Sequence, residues 1–155
     1  SAAHRADAER ALCRPAGTGQ RTRPLAPKTV RYIHTIIHKA LADAVHIHIL
    51  TADTFGKARA QLVGIPCNLS ILPAQDQDQR KLEYVQQLGP TTTVCVGNGR
   101  NDRLMLQAAG LGIVVVQAEG AAVQTVLAAD VLSPDILTAL DLLLHPLRLV
   151  ATLRS

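Results

Sequence analysis

Three short groups of polar residues have types and spacings that suit the binding of a phosphoryl group and a divalent cation. The first is Thr51-Ala52-Asp53-Thr54, which follows an apolar, β-branched run and opens a helical pattern. A hydroxyl and unpaired backbone N–H groups at a helix N-terminus suit a phosphoryl oxygen. Thr and Asp are also ordinary helix N-caps, so this group alone is not specific.

The second and third groups follow later strand-like runs. Lys81 lies near the start of a predicted helix, where it could offset phosphate charge, although a lone surface lysine is usually a solvated charge. The run from Gly97 to Asp102, Gly-Asn-Gly-Arg-Asn-Asp, allows a tight turn and offers Asn98, Asn101 and Asp102 as oxygen ligands for a hard cation. An ordinary turn with an Asn or Asp cap remains the alternative.

Alternating strand-like and helical segments position these groups. Strands are predicted at 46–50, 69–72, 92–96, 112–116 and 130–132, and helices at 54–63, 78–88, 101–109, 120–128 and 134–144, followed by a tail at 145–155. Such alternation implies right-handed crossovers and a parallel sheet covered on both faces. We therefore predict an α/β doubly wound core over residues 46–155, with ligands at the carboxyl ends of its strands.

Residues 1–45 are predicted to be a separate basic appendage. They carry eight Lys and Arg against three Asp and Glu, whereas residues 46–155 have a net charge of −1. Pro and Gly among the arginines of residues 1–27 predict a short helix and a loop, and apolar spacing predicts a helix from about Lys28 to Ala44. A basic arm is compatible with nucleic acid, although a solvated tail is the commoner explanation.

The composition favours a single globular domain and disfavours proteins that bind nucleic acid by base stacking or that span a membrane. The 155 residues are 48% hydrophobic, enough to bury one core, and only 2% aromatic, which leaves few side chains for stacking on nucleic-acid bases. Cys13, Cys67 and Cys95 have no CxxC spacing, so reduced thiols are expected. The sequence contains no apolar run of about 18 residues and no signal-like N-terminal region. We therefore expect a cytoplasmic protein with no membrane contact.

In this order the three groups resemble the motifs of the haloacid-dehalogenase-like (HAD) superfamily, in the version shared with P-type ATPases. The segment from Thr51 to Ile65 is similar to the TGDN-type segment, and Lys81 to the phosphate-clamping lysine. The run from Gly97 to Ile113 is similar to the GDGxND metal loop with its trailing AA-x-x-GI. The resemblance covers about residues 46–155 and implies a truncated HAD-like, Rossmann-like domain of the phosphatase type.

The resemblance also implies a role for each matching residue. Thr51, with Ala52 beside it, would bind the phosphoryl group, and Lys81 would offset its charge. Asn98 and Asp102 would hold Mg²⁺ as the cofactor, and Thr51, Lys81 and Asp102 would form the catalytic set. The substrate would be a small phosphorylated molecule, or the ligand would be phosphate itself.

Two departures from the family pattern indicate impaired or lost catalysis. Asn98 stands where the family usually has a carboxylate, which should weaken Mg²⁺ binding. The family's first motif, a strand ending in its nucleophilic aspartate, does not precede Thr51. The Asp-x-Asp of the sequence, Asp76-Gln77-Asp78, follows a polar stretch and is interpreted as a solvated loop. The missing strand should lie between strands 46–50 and 92–96, so either these pair directly or something else fills the gap.

A second resemblance concerns the segment before the α/β core. Residues 25–45 are similar to a helix of the core-binding domain of phage-type tyrosine recombinases, a helix that ordinarily contacts DNA. No recombinase catalytic set follows it, so Tyr32 is interpreted as a helix residue and not a nucleophile. This resemblance leaves DNA binding through the basic helix as the alternative function.

Two further alternatives stay open. His46 and His48 would share one side of a strand, but without a third ligand at a telling spacing they are interpreted as structural and not as zinc ligands. A homo-oligomer in which a neighbouring chain supplies the missing central strand is the remaining assembly hypothesis.

Overall fold

The computed structural model describes residues 40–52 and 56–154. A helical stretch at 40–42 precedes five strands and six further helices. The strands are β1 (His48–Thr51), β2 (Asn68–Ile71), β3 (Val94–Gly97), β4 (Leu111–Val115) and β5 (Val131–Ser133). The helices are α1 (Ala58–Gln61), α2 (Gln77–Leu88), α3 (Arg103–Ala108), α4 (Val123–Val126), α5 (Ile136–Leu144) and α6 (Pro146–Leu153), with 3-10 turns at Pro90–Thr92 and Arg100–Asp102.

All the strand pairs in this part of the chain are parallel. Strands β1 and β2 form one sheet, with Leu50 opposite Ser70, and strands β3, β4 and β5 form a second sheet in that order. Helices connect consecutive strands, as parallel pairing requires. The predicted α/β fold with a parallel, doubly wound arrangement is therefore confirmed.

Strand β4 is the centre of the core. Its residues Ile113, Val114 and Val115 are at most 1% exposed, which is typical of a parallel strand covered on both faces. Because successive side chains alternate between faces, Val114 packs with residues of α2 and α3, whereas Ile113 and Val115 pack with residues of α5 and α6. Helices thus cover both faces of the β3–β4–β5 sheet.

Three helix boundaries differ from the sequence expectations. The helix expected at 54–63 is described only as Ala58–Gln61, and the helix expected at 120–128 only as Val123–Val126. Gly64 and Gly120 have φ values of 83° and 86°, which a continuing right-handed helix cannot accommodate. The tail expected at 145–155 contains a separate helix, α6, which begins at Pro146, a residue suited to the first position of a helix.

The sheets are not joined through β1 and β3. In the described ranges β1 pairs only with β2, and β3 pairs only with β4. The direct pairing considered from the sequence is therefore wrong for the described strands.

The chain before residue 40 lies outside the described residues, so the basic arm and most of the helix expected at 28–44 are not tested. In the described ranges, no single helix combines the length and apolar character needed to cross a membrane. Helices α5 and α6 meet that standard only as a pair bent by 102°.

Candidate functional site

The centre of the candidate site is a buried ion pair between Lys81 and Asp102. Lys81 lies in the first half of α2, and Asp102 ends the 3-10 turn after β3. The Lys81 Nζ atom donates to Asp102 Oδ1 at 2.6 Å, and the two side chains are only 10% and 9% exposed. A charge-assisted contact of this length with little water around it is much stronger than a surface ion pair.

The second oxygen of Asp102 shapes the loop after β3. The backbone N–H groups of Asn98 and Gly99 each donate to Asp102 Oδ2 at 2.9 Å. A Cβ atom at Gly97 would lie 2.5 Å from Asp102 Cγ, so only glycine leaves room for this carboxylate. The run Gly97–Asp102 is therefore folded around Asp102, at the carboxyl end of β3 where a ligand site is expected.

Several residues that support this loop carry no signal in the sequence. The Asn98 Nδ2 atom lies 3.1 Å from Glu119 Oε1 and donates to the Gly120 carbonyl at 3.3 Å. The hydroxyl of the fully buried Thr125 donates to the Gly99 carbonyl at 2.8 Å. These partners lie more than 20 residues along the chain from the loop, so no local spacing could have marked them.

The predicted metal ligands do not fit Mg²⁺ on their own. A carboxylate has about four lone-pair directions. Three contacts to Asp102 already use three of about four directions: those from the Lys81 ammonium and from the backbone N–H groups of Asn98 and Gly99. Mg²⁺ requires about six oxygens in near-octahedral geometry, usually including carboxylates, substrate phosphates and water. Where side chains are described, no cluster of three or more His, Cys, Asp or Glu could hold a metal ion.

Thr51 and Ala52 are not brought to the same cavity. Lys81, Asn98 and Asp102 line a cavity of about 310 Å³ that lies between β1, α2 and β3. From β1 the cavity is lined by His48 and Leu50, and neither Thr51 nor Ala52 contributes to its wall. Thr51 lies one residue beyond Leu50 in the strand, so its side chain points to the opposite face. Asp53 and Thr54 fall outside the described residues.

Three other residues considered from the sequence lie outside the ion pair at the centre of the site. His48 Nδ1 lies 2.9 Å from the Tyr84 hydroxyl, and the two rings form an edge-on contact, which agrees with a structural role for this histidine. Asp76 and Asp78 are exposed, as expected, but they do not form a loop: Asp76 precedes α2 directly, and Asp78 lies in its first turn.

Cys95 adds an unreactive thiol to the wall of the cavity. It is a free cysteine, 6% exposed, in the middle of β3. Burial, and then the negative charge of Asp102, raise the pKa of the Cys95 thiol from 9.0 to about 11. Because the thiolate is the nucleophilic form, Cys95 is protonated and inert near neutral pH.

Comparison with known proteins gives one close relative in sequence. No family model matches the chain. An uncharacterized protein of Methanocaldococcus jannaschii is 46% identical over 75 residues, which are 48% of this chain and 81% of the relative. This identity over most of the relative's length establishes common family membership.

Solved structures give the fold. The Moraxella catarrhalis 3-deoxy-D-manno-octulosonate 8-phosphate phosphatase, crystallised with magnesium, phosphate and KDO, matches 81% of this chain and 76% of its own, with a TM-score of 0.60 and 15% identity. A Legionella pneumophila protein assigned to subfamily III A of the HAD hydrolases matches 80% of this chain and 70% of its own, with a TM-score of 0.60 and 16% identity.

A third solved structure with a similar fold comes from an ATPase. The catalytic domain of the CPx-ATPase CopB-B matches 71% of this chain and 43% of its own, with a TM-score of 0.54 and 23% identity. These three neighbours support the HAD-like fold that was expected from the sequence. The chain belongs to the same family as the M. jannaschii protein and has the HAD-like α/β fold.

Proposed function

We propose that this chain is a phosphatase-type HAD-like domain that keeps part of a phosphate pocket and is impaired or inactive in catalysis. The observation that supports it best is the buried pair of Lys81 and Asp102 beside a cavity, at the carboxyl end of β3. The HAD-like fold of its structural neighbours, one of them a phosphatase, supports the same class.

Lys81 is the residue that would bind the anion. An ammonium group has three N–H donors, and one of them is engaged by Asp102 Oδ1. The remaining two can donate to the oxygens of a phosphate that enters the cavity. Because Asp102 already neutralises Lys81, the attraction is weaker than that of an unpaired lysine, and we propose weak binding of a small phosphorylated substrate or phosphate.

Mg²⁺ belongs to the proposal only as a weakly bound cofactor. Asn98 and Asp102 are the residues that would hold it, and the ion would offset phosphate charge. The existing contacts of Asp102 and the amide in place of a carboxylate at Asn98 both lower affinity. Thr51 and Ala52 would contribute to phosphate binding only after a rearrangement of the end of β1.

Impairment follows from the missing nucleophile. Covalent phosphoryl transfer needs a carboxylate that can attack phosphorus. Asp102 is the carboxylate on the cavity wall in the described part of the chain, and hydrogen bonds and an ion pair occupy both its oxygens. Without a nucleophile, Lys81 would still position the phosphate and compensate its charge.

Titration calorimetry with inorganic phosphate tests the pocket. We expect weak binding to the full chain, and its loss in Lys81→Met, because the donor to phosphate is removed. Lys81→Arg should retain part of the affinity. Arg148→Met is the matched control, since Arg148 forms an exposed ion pair with Asp141 away from the cavity. Unchanged affinity in a folded Lys81→Met variant would refute the assignment of the pocket.

A further inference from the structure

The cavity lined by Lys81 combines the ammonium group of that residue with apolar walls. Helix α2 contributes Val85 and Leu88 to the lining as well as Lys81, and strand β3 contributes Val94. Val85 is 2% exposed, whereas Leu88 and Val94 remain 39% and 43% exposed. Contact with an apolar ligand would remove part of this exposed surface from water, which is favourable in proportion to the area covered. The lining therefore suits a ligand that has an apolar part.

Most of the polar side chains in the same lining are engaged within the protein. His48 Nδ1 lies 2.9 Å from the Tyr84 hydroxyl. The Thr93 hydroxyl donates to a backbone carbonyl at 2.8 Å, and the Asn98 Nδ2 atom has the two contacts described for the loop. Gln117 is exposed, so water can reach its amide. A ligand with many hydroxyl groups would have to break these contacts or leave its own hydroxyls unpaired, and either is costly.

The volume of the cavity limits the size of the ligand. At about 310 Å³ it lies at the lower end of the roughly 300–1,000 Å³ that is usual for small-molecule sites. A cavity of roughly 150 Å³ is enough for a ring of the size of benzene. The remaining space can hold one phosphate group at the Lys81 ammonium. The cavity therefore has room for one phosphate and one apolar group of about the size of a ring.

We propose that the pocket takes a phosphate monoester whose other part is apolar and about as large as one ring, in preference to the phosphates of polyhydroxylated molecules. Lys81 binds the phosphate, and Leu88 and Val94 contact the apolar part. This inference rests on the proposed function, because it requires phosphate binding at Lys81. It extends that function by assigning the chemical class of the ligand.

Titration calorimetry of the full chain with three ligands tests the proposal. The ligands are inorganic phosphate, phenyl phosphate and glycerol phosphate. The two esters both carry one phosphate on a small organic group, so they differ mainly in the polarity of that group. We expect phenyl phosphate to bind about tenfold more tightly than the other two, because even partial transfer of a ring from water to an apolar wall is favourable by about that factor.

Two substitutions in the apolar lining locate the contact. Val94→Thr keeps the shape of the side chain and adds a hydroxyl, so it should remove most of the preference for phenyl phosphate over inorganic phosphate. Leu88→Asn should act in the same direction. Val123→Thr is the matched control and should keep the preference, because Val123 is 71% exposed on α4 and does not line the cavity. Circular dichroism checks that each variant is folded.

The outcomes separate this inference from the proposed function. If inorganic phosphate binds and glycerol phosphate binds as tightly as phenyl phosphate, the apolar assignment is overturned while phosphate binding stands. A preference for phenyl phosphate that neither Val94→Thr nor Leu88→Asn reduces would place the apolar contact elsewhere and would also overturn the assignment. If none of the three ligands binds, the proposed function and this inference are both refuted.

Discussion

At the scale of single residues, the pair of Lys81 and Asp102 is expected to dominate stability. Removing one partner of a buried ion pair leaves an uncompensated charge and costs about 3–5 kcal/mol. Asp102→Ala should therefore lower the free energy of unfolding by about that amount. The cost should be at the upper end because the N–H groups of Asn98 and Gly99 also lose their acceptor. Urea unfolding followed by circular dichroism measures the change.

Asp141→Ala is the matched control for this prediction. Asp141 also forms an ion pair at 2.6 Å, with Arg148, but the side chains are 60% and 39% exposed. An exposed pair contributes at most about 1 kcal/mol. Equal destabilisation by the two substitutions would contradict the view that burial makes the Lys81 pair important.

Cys95 provides a prediction about pH. Its pKa is about 11 in the folded protein against a usual 9.0, so between these values the unfolded chain loses a proton that the folded chain keeps. The contribution of this thiol to stability is therefore complete below about pH 9 and is lost as the pH rises towards 11.

Alkylation by iodoacetamide at about pH 8, followed by mass spectrometry, should modify the half-buried Cys67 faster than Cys95. Equal rates would contradict the assigned environment.

At the scale of elements, Gly112 lets strand β4 pack closely against the end of helix α3. A Cβ atom at Gly112 would lie 2.5 Å from the Leu106 carbonyl oxygen, a backbone atom that cannot move aside. Gly112→Ala should cost about 1–3 kcal/mol, as other overpacking substitutions do. Gly99→Ala should cost less, because its nearest contact is the flexible Asn101 side chain at 2.8 Å. Thermal unfolding of both variants measures the order, and a reversed order would contradict it.

The elements themselves were largely predictable, and the failures have physical causes. Runs such as Ile113-Val114-Val115 are β-branched and continuous, so they identify buried strands. Helix α6 was not separated from the tail at 145–155, because a proline such as Pro146 can either end a helix or occupy the first turn of a new one. The positive φ of Gly120 was equally invisible, since glycine also occurs inside regular elements.

Only part of the candidate site could be predicted from the sequence. Lys81 and the Gly97–Asp102 loop meet as their order along an α/β chain suggested, because the carboxyl ends of parallel strands share one edge. The face to which Thr51 points depends on the register of a short strand, which a shift of one residue reverses. The sequence alone could not determine that register.

At the scale of the whole molecule, the fold is HAD-like, and the described strands form two parallel sheets. The sequence has no match to the family's nucleophile motif before Thr51. The described residues form a cavity beside β1 and β3 whose wall includes Lys81, Asp102 and Cys95. We propose that this pocket holds an anion by charge and hydrogen bonds and has no group that would be phosphorylated.

Hydrolysis of p-nitrophenyl phosphate by the purified full chain with Mg²⁺ tests the central claim most directly. We predict turnover that is very slow or undetectable and that does not differ between the unchanged chain and Asp102→Asn, with folding of both checked by circular dichroism. Mg²⁺-dependent turnover in the unchanged chain that Asp102→Asn abolishes would contradict the account, because it would demonstrate a working catalytic site.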